Sequence, residues 1–372
     1  MLGISESISH CEATLARMLG RNHCVLTGTG TSALWIAYSL LEHSRHKILL
    51  PAMTCLTPML AVHYALRTPV FADVRERDAT IDPSVVESML ARDSEIGAVL
   101  AVHLYGNPAD MEALREVTAR YGVTLIEDLA QALGGRYGDG SYFGAVGDCA
   151  VVSFGHTKIL DVGGGGALLT DNVAWATQAR AMAKQLGEQP ADLDRLSLMY
   201  RKLFYSIWES GQVDRACYQM FDLFPTLFRT LHVYRITGTT ASKILTALNG
   251  LESEVAHRKR IAALYEEALR KLNEVQTFET SDYAVPWRFS FRLAKGIRSA
   301  VLTKVRSAGY DVSSWYPSIT EWTPSGRMQG RKNFPMANRL EQEVVNFWVS
   351  RDYTEEKALS LTKVLKEILA KF

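Results

Sequence analysis

Between about Asn22 and Asp171 the chain alternates short, almost wholly apolar runs with amphipathic stretches, a pattern that few folds accept. "HCVL" leads into "TSALWIAYSLLEHS", "KILLPA" into "CLTPMLAVHYAL", and "TPVFADV" follows. "GAVLAVHLYG", "ADMEALREVTARYG", "VTLIEDLA" and "CAVVSFG" continue the series. A strand that is apolar on nearly every residue belongs in a sheet covered on both faces, whereas a half-exposed strand alternates. Repeated strand–helix–strand units then require parallel pairing through right-handed crossovers. The expectation is an α/β protein with a mostly parallel (mixed) central sheet flanked by helices. Ligands of such sheets sit beyond the carboxyl ends of the strands, so the residues that follow each strand carry the chemistry.

At 372 residues the chain is long for one domain. Residues 1–240 read as a large α/β domain with an aromatic-rich helical insertion at 188–234. Residues 241–372 read as a smaller α+β domain led by one long helix, "TASKILTALNGLESEVAHRKRIAALYEEALRKL", with a strand at "WRFSFRL". The opening "MLGISESISHCEATLARMLG" has a helical, amphipathic pattern, without the basic start and unbroken apolar run of a signal peptide. A formal net charge of +1 provides no long-range field to gather nucleic acid or an anionic membrane. No apolar run reaches transmembrane length. Cys11, Cys24, Cys55, Cys149 and Cys217 show no C-x-x-C spacing. Neither a zinc site nor a disulfide framework is expected, and a reducing cytoplasm is.

"VLTGTGTSAL", Val25 to Leu34, fits the loose dinucleotide fingerprint through Gly28, Gly30 and Ala33. A dinucleotide site needs an acid at the end of the next strand, about 20 residues on. That strand, "KILLPAMT", offers Leu50, Pro51, Ala52 and Met53 and no carboxylate. What remains is a glycine turn and a helix start with Thr31 and Ser32, which suits a single phosphate. A plain helix cap explains the same turn equally well. In "VTLIEDLAQALGG" a strand ends in Glu127-Asp128, with Gln131 just beyond; a helix N-cap is the usual role of such an acid. In "GDCAVVSFGHTKILDVGGGGALLTDN" a strand enters a turn with Ser153, His156 and Lys158, then Gly163 to Gly166. Such a glycine run lets backbone approach something bulky and flat. A phosphate cup, an acid and a lysine at strand ends fit pyridoxal phosphate. Its aldehyde forms a Schiff base with lysine, and its protonated ring nitrogen pairs with an acid.

These residues resemble the DegT/DnrJ/EryC1/StrS aminotransferases, the sugar-aminotransferase branch of fold-type I pyridoxal-phosphate enzymes. The matching motifs are "GTSAL" (30–34), "VHLYGNPADM" (102–111), "IEDLAQALGG" (126–135), "GDCAVVSFGHTK" (147–158) and "GGALLTDN" (165–172). Weaker echoes are "HRKRIAALY" (257–265) and "FPMANRLEQE" (334–343), so the likeness covers nearly the whole chain. It implies that Lys158 is the Schiff-base lysine and Asp128 the partner of the ring nitrogen. By the same likeness Gln131 lies near the ring hydroxyl, and Gly30, Thr31, Ser32 and Ser153 hold the phosphate. Cys55 stands beside the ring, and Arg235 in "VYRI" matches the arginine of the family's N-x-R motif. A homodimer with shared active sites is implied as well.

The chain also departs from the family pattern. Cys55 occupies the place of a stacking aromatic, Val233 that of the N-x-R asparagine, and Gly164 that of the acid in G-E-G-G. "NFW" (346–348) replaces s-L-P, and the chain starts late relative to the family's leader. A divergent member with an unusual substrate or weakened cofactor retention is expected.

The implied reaction moves an amino group from glutamate or glutamine to a keto-sugar, nucleotide-linked, with pyridoxamine phosphate as the intermediate cofactor form. A keto-cyclitol is the alternative acceptor. A cofactor-dependent sugar dehydratase would carry histidine at the Lys158 position, which argues against it. A pyridoxal-phosphate-binding regulatory protein without turnover is motivated by Cys55, Val233 and Gly164. His103, His156 and Tyr316 are candidate substrate contacts, although a hydrogen-bonded turn for His156 and core packing for Tyr316 are simpler. Arg136, Arg235 and Arg288 suit carboxylate or diphosphate groups, whose geometry a guanidinium fork matches. No metal site is expected.

Overall fold

In the computed structural model, which describes residues 4–372, the apolar runs form one seven-stranded sheet. Met1 to Gly3, where the expected large domain and first helix begin, lie outside the described residues. The strands are β1 His23–Thr27, β2 Lys47–Pro51, β3 Thr68–Ala72, β4 Ile96–Val102, β5 Thr124–Asp128, β6 Cys149–Ser153 and β7 Gly166–Thr170. Their order across the sheet is β1-β7-β6-β5-β4-β2-β3. The pairs from β6 to β3 are parallel, whereas β7 runs antiparallel to both β6 and β1. The mostly parallel, mixed sheet expected from the apolar runs is therefore present. β7 reverses because the segment 154–165 holds no helix, so the chain turns back instead of crossing over.

Helices cover both faces, and β4 and β7 are accordingly buried along their whole length. Helix Gly30–Ser39 packs on β6 and β7, and helix Met111–Tyr121 on β4 and β5. Side chains at Thr29, Asp82, Asp110 and Asn172 accept the first free N–H groups of the helices they begin. Helix Pro83–Leu90 is an addition to the sequence reading, and Asp82 followed by Pro83 is its start signal.

A second, antiparallel sheet of order β10-β9-β8 contains β8 Val275–Thr277, β9 Phe289–Leu293 and β10 Val344–Phe347. With helices Leu251–Leu269 and Glu355–Leu369 it encloses a core that includes Ile261, Tyr265, Phe291, Phe347 and Leu365. The single long helix expected here is broken into Gly238–Leu248 and Leu251–Leu269. Asn249 and Gly250 interrupt it, glycine being a poor helix former with an unprotected backbone. The first piece packs against helix Ile4–Met18 and the second belongs to the smaller core. The aromatic-rich segment folds as helix Leu193–Val213, a 3₁₀ stretch Arg215–Leu223 and two short helical turns, Phe224–Leu227 and Arg229–His232. Phe221 stacks on Trp322 with ring centroids 4.4 Å apart.

The glycine run approaches the chain itself rather than a flat ligand. Gly165 N–H donates to Gly28 C=O at 2.7 Å, and a Cβ on Gly166 would lie 2.4 Å from the Gly30 nitrogen and the Thr29 carbonyl. The reversal of β7 forces this contact, because its first residues lie beside the end of β1. Neither backbone can retreat without breaking the β1–β7 ladder. Gly166→Ala is expected to lose about 2 kcal/mol or more of unfolding free energy in urea titration. Gly296→Ala, whose Cβ would meet nothing within 4 Å, should stay within about 1 kcal/mol of wild type.

Candidate active site

β5 ends in two adjacent carboxylates, and the period of a strand sends them to opposite faces. Glu127 is fully buried and accepts from Tyr137 Oη, Gly144 N, Val146 N, Gly147 N and His103 Nε2. Burial pushes its carboxyl up, but these donors, His103 foremost, outweigh it and hold the group down at about 2. Asp128, 3% exposed, accepts one bond, from Ala130 N at 2.8 Å on Oδ1. Its other oxygen has no partner among the described residues. Burial raises its carboxyl, and the Ala130 N–H, Lys158 and His103 offset only part of that. Asp128 is thus a buried acid short of positive charge.

Lys158 stands half-buried in the turn between β6 and β7, close enough for its charge to act on Asp128. The turn is braced from within and from without. Thr157 N and Gly163 N donate to Asp161 at 2.8 and 3.0 Å, and Trp287 Nε1 donates to Thr157 C=O at 2.6 Å. His156 lies on the outside of this turn, its side chain 82% exposed and 3.7 Å from Asp161.

The turn between β1 and helix Gly30–Ser39 forms a cup. Thr29 caps the helix by accepting from Ser32 N at 2.9 Å and, through its carbonyl, from Ala33 N at 3.2 Å. The Gly30 N–H turns to the Gly165 carbonyl in the parallel bridge between Thr29 and Gly165, whereas no acceptor for the Thr31 N–H is found among the described residues. A Cβ on Gly30 would lie 3.1 Å from Ser153 Oγ, so glycine keeps the space beside that hydroxyl open. Free N–H groups at a helix start beside a hydroxyl make an anion site. Ser32 does not share in it. Its hydroxyl, fully buried, donates to His232 C=O at 2.9 Å and accepts from Tyr234 N at 3.2 Å. The expectation that Ser32 holds phosphate is corrected accordingly: it ties down the segment Leu231–Arg235.

That segment straps the loop in place. Gly28 N donates to Tyr234 C=O at 2.9 Å, and the Tyr234 ring occupies the space a Gly28 Cβ would need, 2.2 Å away. His232 is buried, with Nδ1 3.0 Å from Tyr64 Oη, and burial holds its imidazole down at about 4. Arg235 turns outward and pairs with Glu188.

Cys55, Thr157, Tyr200, Phe204, Arg288 and Tyr316 are among the residues lining a cavity of about 280 Å³. Tyr316 N donates to Tyr105 Oη, and Tyr105 N to Gln131 Oε1, both at 2.9 Å, so Gln131 is tied to the aromatic wall. A larger cavity of about 580 Å³ lies among Arg21, Thr124 and Asp148, at the opposite end of β5 from Asp128. His103 is corrected as a substrate contact. It is fully buried, Nδ1 accepts from Ala109 N at 3.0 Å, Nε2 donates to Glu127, and the ring stacks on Phe143 at 4.8 Å. Both nitrogens are engaged, and its place is behind the strand end. Sequence reasoning missed the strap, because "VYRI" drew notice for its arginine rather than for Tyr234. It also missed Trp287, which braces the lysine turn, although its neighbour Arg288 was singled out for carboxylate or diphosphate groups.

By its chemistry the cup suits an anion and Asp128 suits a cation, and Lys158 carries an amine. One molecule carrying a phosphate, a protonated ring nitrogen and a carbonyl can satisfy all three. Comparison with known proteins agrees with this geometry. Residues 5–366 match the DegT/DnrJ/EryC1/StrS aminotransferase family. The chain is 28% identical over 352 residues to a dTDP-3-amino-3,4,6-trideoxy-alpha-D-glucose transaminase of Micromonospora megalomicea subsp. nigra, covering 92% of this chain and 84% of that protein. It is 26% identical over 298 residues to GDP-perosamine synthase of Caulobacter vibrioides, covering 79% and 71%. Among solved structures it resembles S. venezuelae DesV in complex with a ketimine intermediate, with a TM-score of 0.79, 26% identity and coverage of 99% and 90%.

The depressed imidazole of His232 has a consequence for stability. The unfolded chain binds the proton first, near the ordinary histidine value of about 6.5. The contribution of His232 is therefore complete above that pH and is lost as pH falls toward 4. Urea titrations between pH 7.5 and 4.5 should show wild type losing about 3 kcal/mol more than His232→Asn. Equal losses in the two proteins would exclude His232 as the cause.

Proposed function

The chain belongs to the DegT/DnrJ/EryC1/StrS aminotransferase family, and on that footing we propose a pyridoxal-phosphate-dependent transfer from glutamate or glutamine to a nucleotide-linked keto-sugar. The observation that carries the reading is the buried Asp128, with one N–H on one oxygen and the charge of Lys158 within reach. The named relatives support the acceptor class, one being a transaminase named for a dTDP-linked amino-deoxy sugar and the other GDP-perosamine synthase.

The residues present fit the cofactor. The Thr31 N–H and the Ser153 hydroxyl, with Gly30 leaving the space open, would hold its phosphate, Gln131 would stand near its ring hydroxyl, and Asp128 would keep its ring nitrogen protonated. When bound, the cofactor supplies an electron sink for the α-carbon of the donor. Lys158 would hold the cofactor through its carbonyl, and its amine, when free, would carry the proton to and from the α-carbon of the donor. Tyr200, Phe204 and Tyr316 line the neighbouring cavity with Cys55 and would keep water from the reacting atoms. His156, exposed beside the lysine, could meet the acceptor only at the rim.

A homodimer is part of the same proposal. Leu198, Met199, Val213, Met220, Leu223 and Leu227 expose an apolar surface on the 193–227 segment that a second copy would cover, with Arg235 close by in sequence. No helix among the described residues is long and apolar enough to cross a membrane. Five unpaired cysteines suit a reducing cytoplasm.

The test is incubation of the cofactor-loaded protein with glutamate or glutamine and a panel of nucleotide-linked keto-sugars, with amine products read by mass spectrometry. Wild type should aminate at least one of them. Lys158→Ala should fall to background, and Asp128→Asn should lose about a hundredfold or more in limiting rate with unchanged circular dichroism. Full turnover by Lys158→Ala would contradict the assignment.

A further inference from the structure

Arg288 is 5% exposed, yet its guanidinium lacks what other buried arginines of this chain possess. Arg21 holds Asp171 at 2.7 Å, Arg258 holds Glu254 at 2.7 Å and Arg292 holds Glu76 at 2.9 Å. Arg67 rests on the carbonyls of Leu41, Glu42 and Arg45. Arg288 donates from Nη1 to the neutral hydroxyl of Ser313 and pairs with no carboxylate, and its buried Nε, like that of Arg292, has no partner among the described residues. Asp311, the carboxylate whose charge reaches it, is already bound to Trp348 Nε1 at 2.9 Å. Burial accordingly lowers the guanidinium to about 10. An unpaired buried cation is costly and is relieved by an incoming anion.

The group is also held in one orientation. It lies over the rings of Trp287 and Trp348, 4.2 and 3.7 Å from their centroids. Ser313 in turn donates to Asn346 Oδ1 at 3.0 Å, and Asn346 is fully buried. Arg288 lines the same cavity as Cys55, Tyr316 and Thr157, the residue before Lys158. Arg288 also borders a separate cavity of about 480 Å³, but the one it shares with Thr157, at about 280 Å³, is just under the usual size of small-molecule sites and suits an amino acid better than a nucleotide. We propose that Arg288 receives the carboxylate of the amino donor, an inference that rests on the aminotransferase reading. The planar fork accepts two carboxylate oxygens side by side, with the donor's amino group then directed toward Lys158.

The test uses the cofactor-loaded wild type, Arg288→Gln and Arg288→Lys. Glutarate, a dicarboxylate without an amino group, is titrated by calorimetry, and the glutamate half-reaction is followed through the cofactor's absorbance. Arg288→Gln should weaken glutarate binding about thirtyfold or more and raise the half-saturating glutamate concentration similarly. Its limiting rate should change much less, and Arg288→Lys should recover part of the loss. Glutarate and glutamate binding as in wild type in both variants would overturn the proposal. So would a loss confined to the nucleotide-linked acceptor, which would make Arg288 a diphosphate contact. If wild type takes an amino group from no donor, the aminotransferase reading fails. Loss of glutarate binding in Arg288→Gln would then still support a carboxylate receptor.

Discussion

Two carboxylates one residue apart on β5 meet opposite fates, and the candidate site follows from that difference. Glu127 faces a ring of donors, N–H groups of the 144–147 loop together with Tyr137 and His103, that stabilise its charge in place of water. Asp128 faces the cleft with one N–H on one oxygen. A buried anion that the protein leaves unbalanced is either neutralised or completed by a cation from outside. With Lys158 contributing only part of the compensation, a protonated ring nitrogen is the natural complement. The strand's period of two makes both arrangements possible within one dipeptide.

The remainder of the fold serves that cleft by holding loops still. The antiparallel β7 sets glycine backbone against the β1 turn, and the Leu231–Arg235 strap closes over it through Ser32, Thr29 and Gly28. What is left open among the described residues is the Thr31 N–H beside the Ser153 hydroxyl, Gly30 being bridged to Gly165. From the other side, Trp287 holds the lysine turn through Thr157, and Tyr316 reaches Gln131 through Tyr105. The smaller sheet therefore bears directly on the position of the lysine, and Arg288 shares this contact zone.

Much of this was legible before any coordinates. Fully apolar runs identified the buried strands, and the strand ends "IED" and "SFGHTK" carried the acid and the lysine. Other features escaped because a sequence does not say which groups neighbours have already taken. Ser32 looks like a phosphate hydroxyl until His232 and Tyr234 are seen to engage it. His103 lies at a strand end, as a cleft residue should, but belongs to the face of Glu127. The glycine run signalled close approach, but to something bulky and flat, whereas Gly165 and Gly166 meet the chain's own loop. The break at Asn249–Gly250 was visible as a glycine, yet the apolar periodicity on either side hid it.

The most direct measurement is a crystal structure of the chain grown with pyridoxal phosphate. The account predicts the ring nitrogen about 3 Å from the free oxygen of Asp128, the phosphate on the Thr31 N–H and the Ser153 hydroxyl, and Lys158 joined to the cofactor. A ring turned away from Asp128, or a phosphate bound elsewhere with Lys158 free, would contradict it.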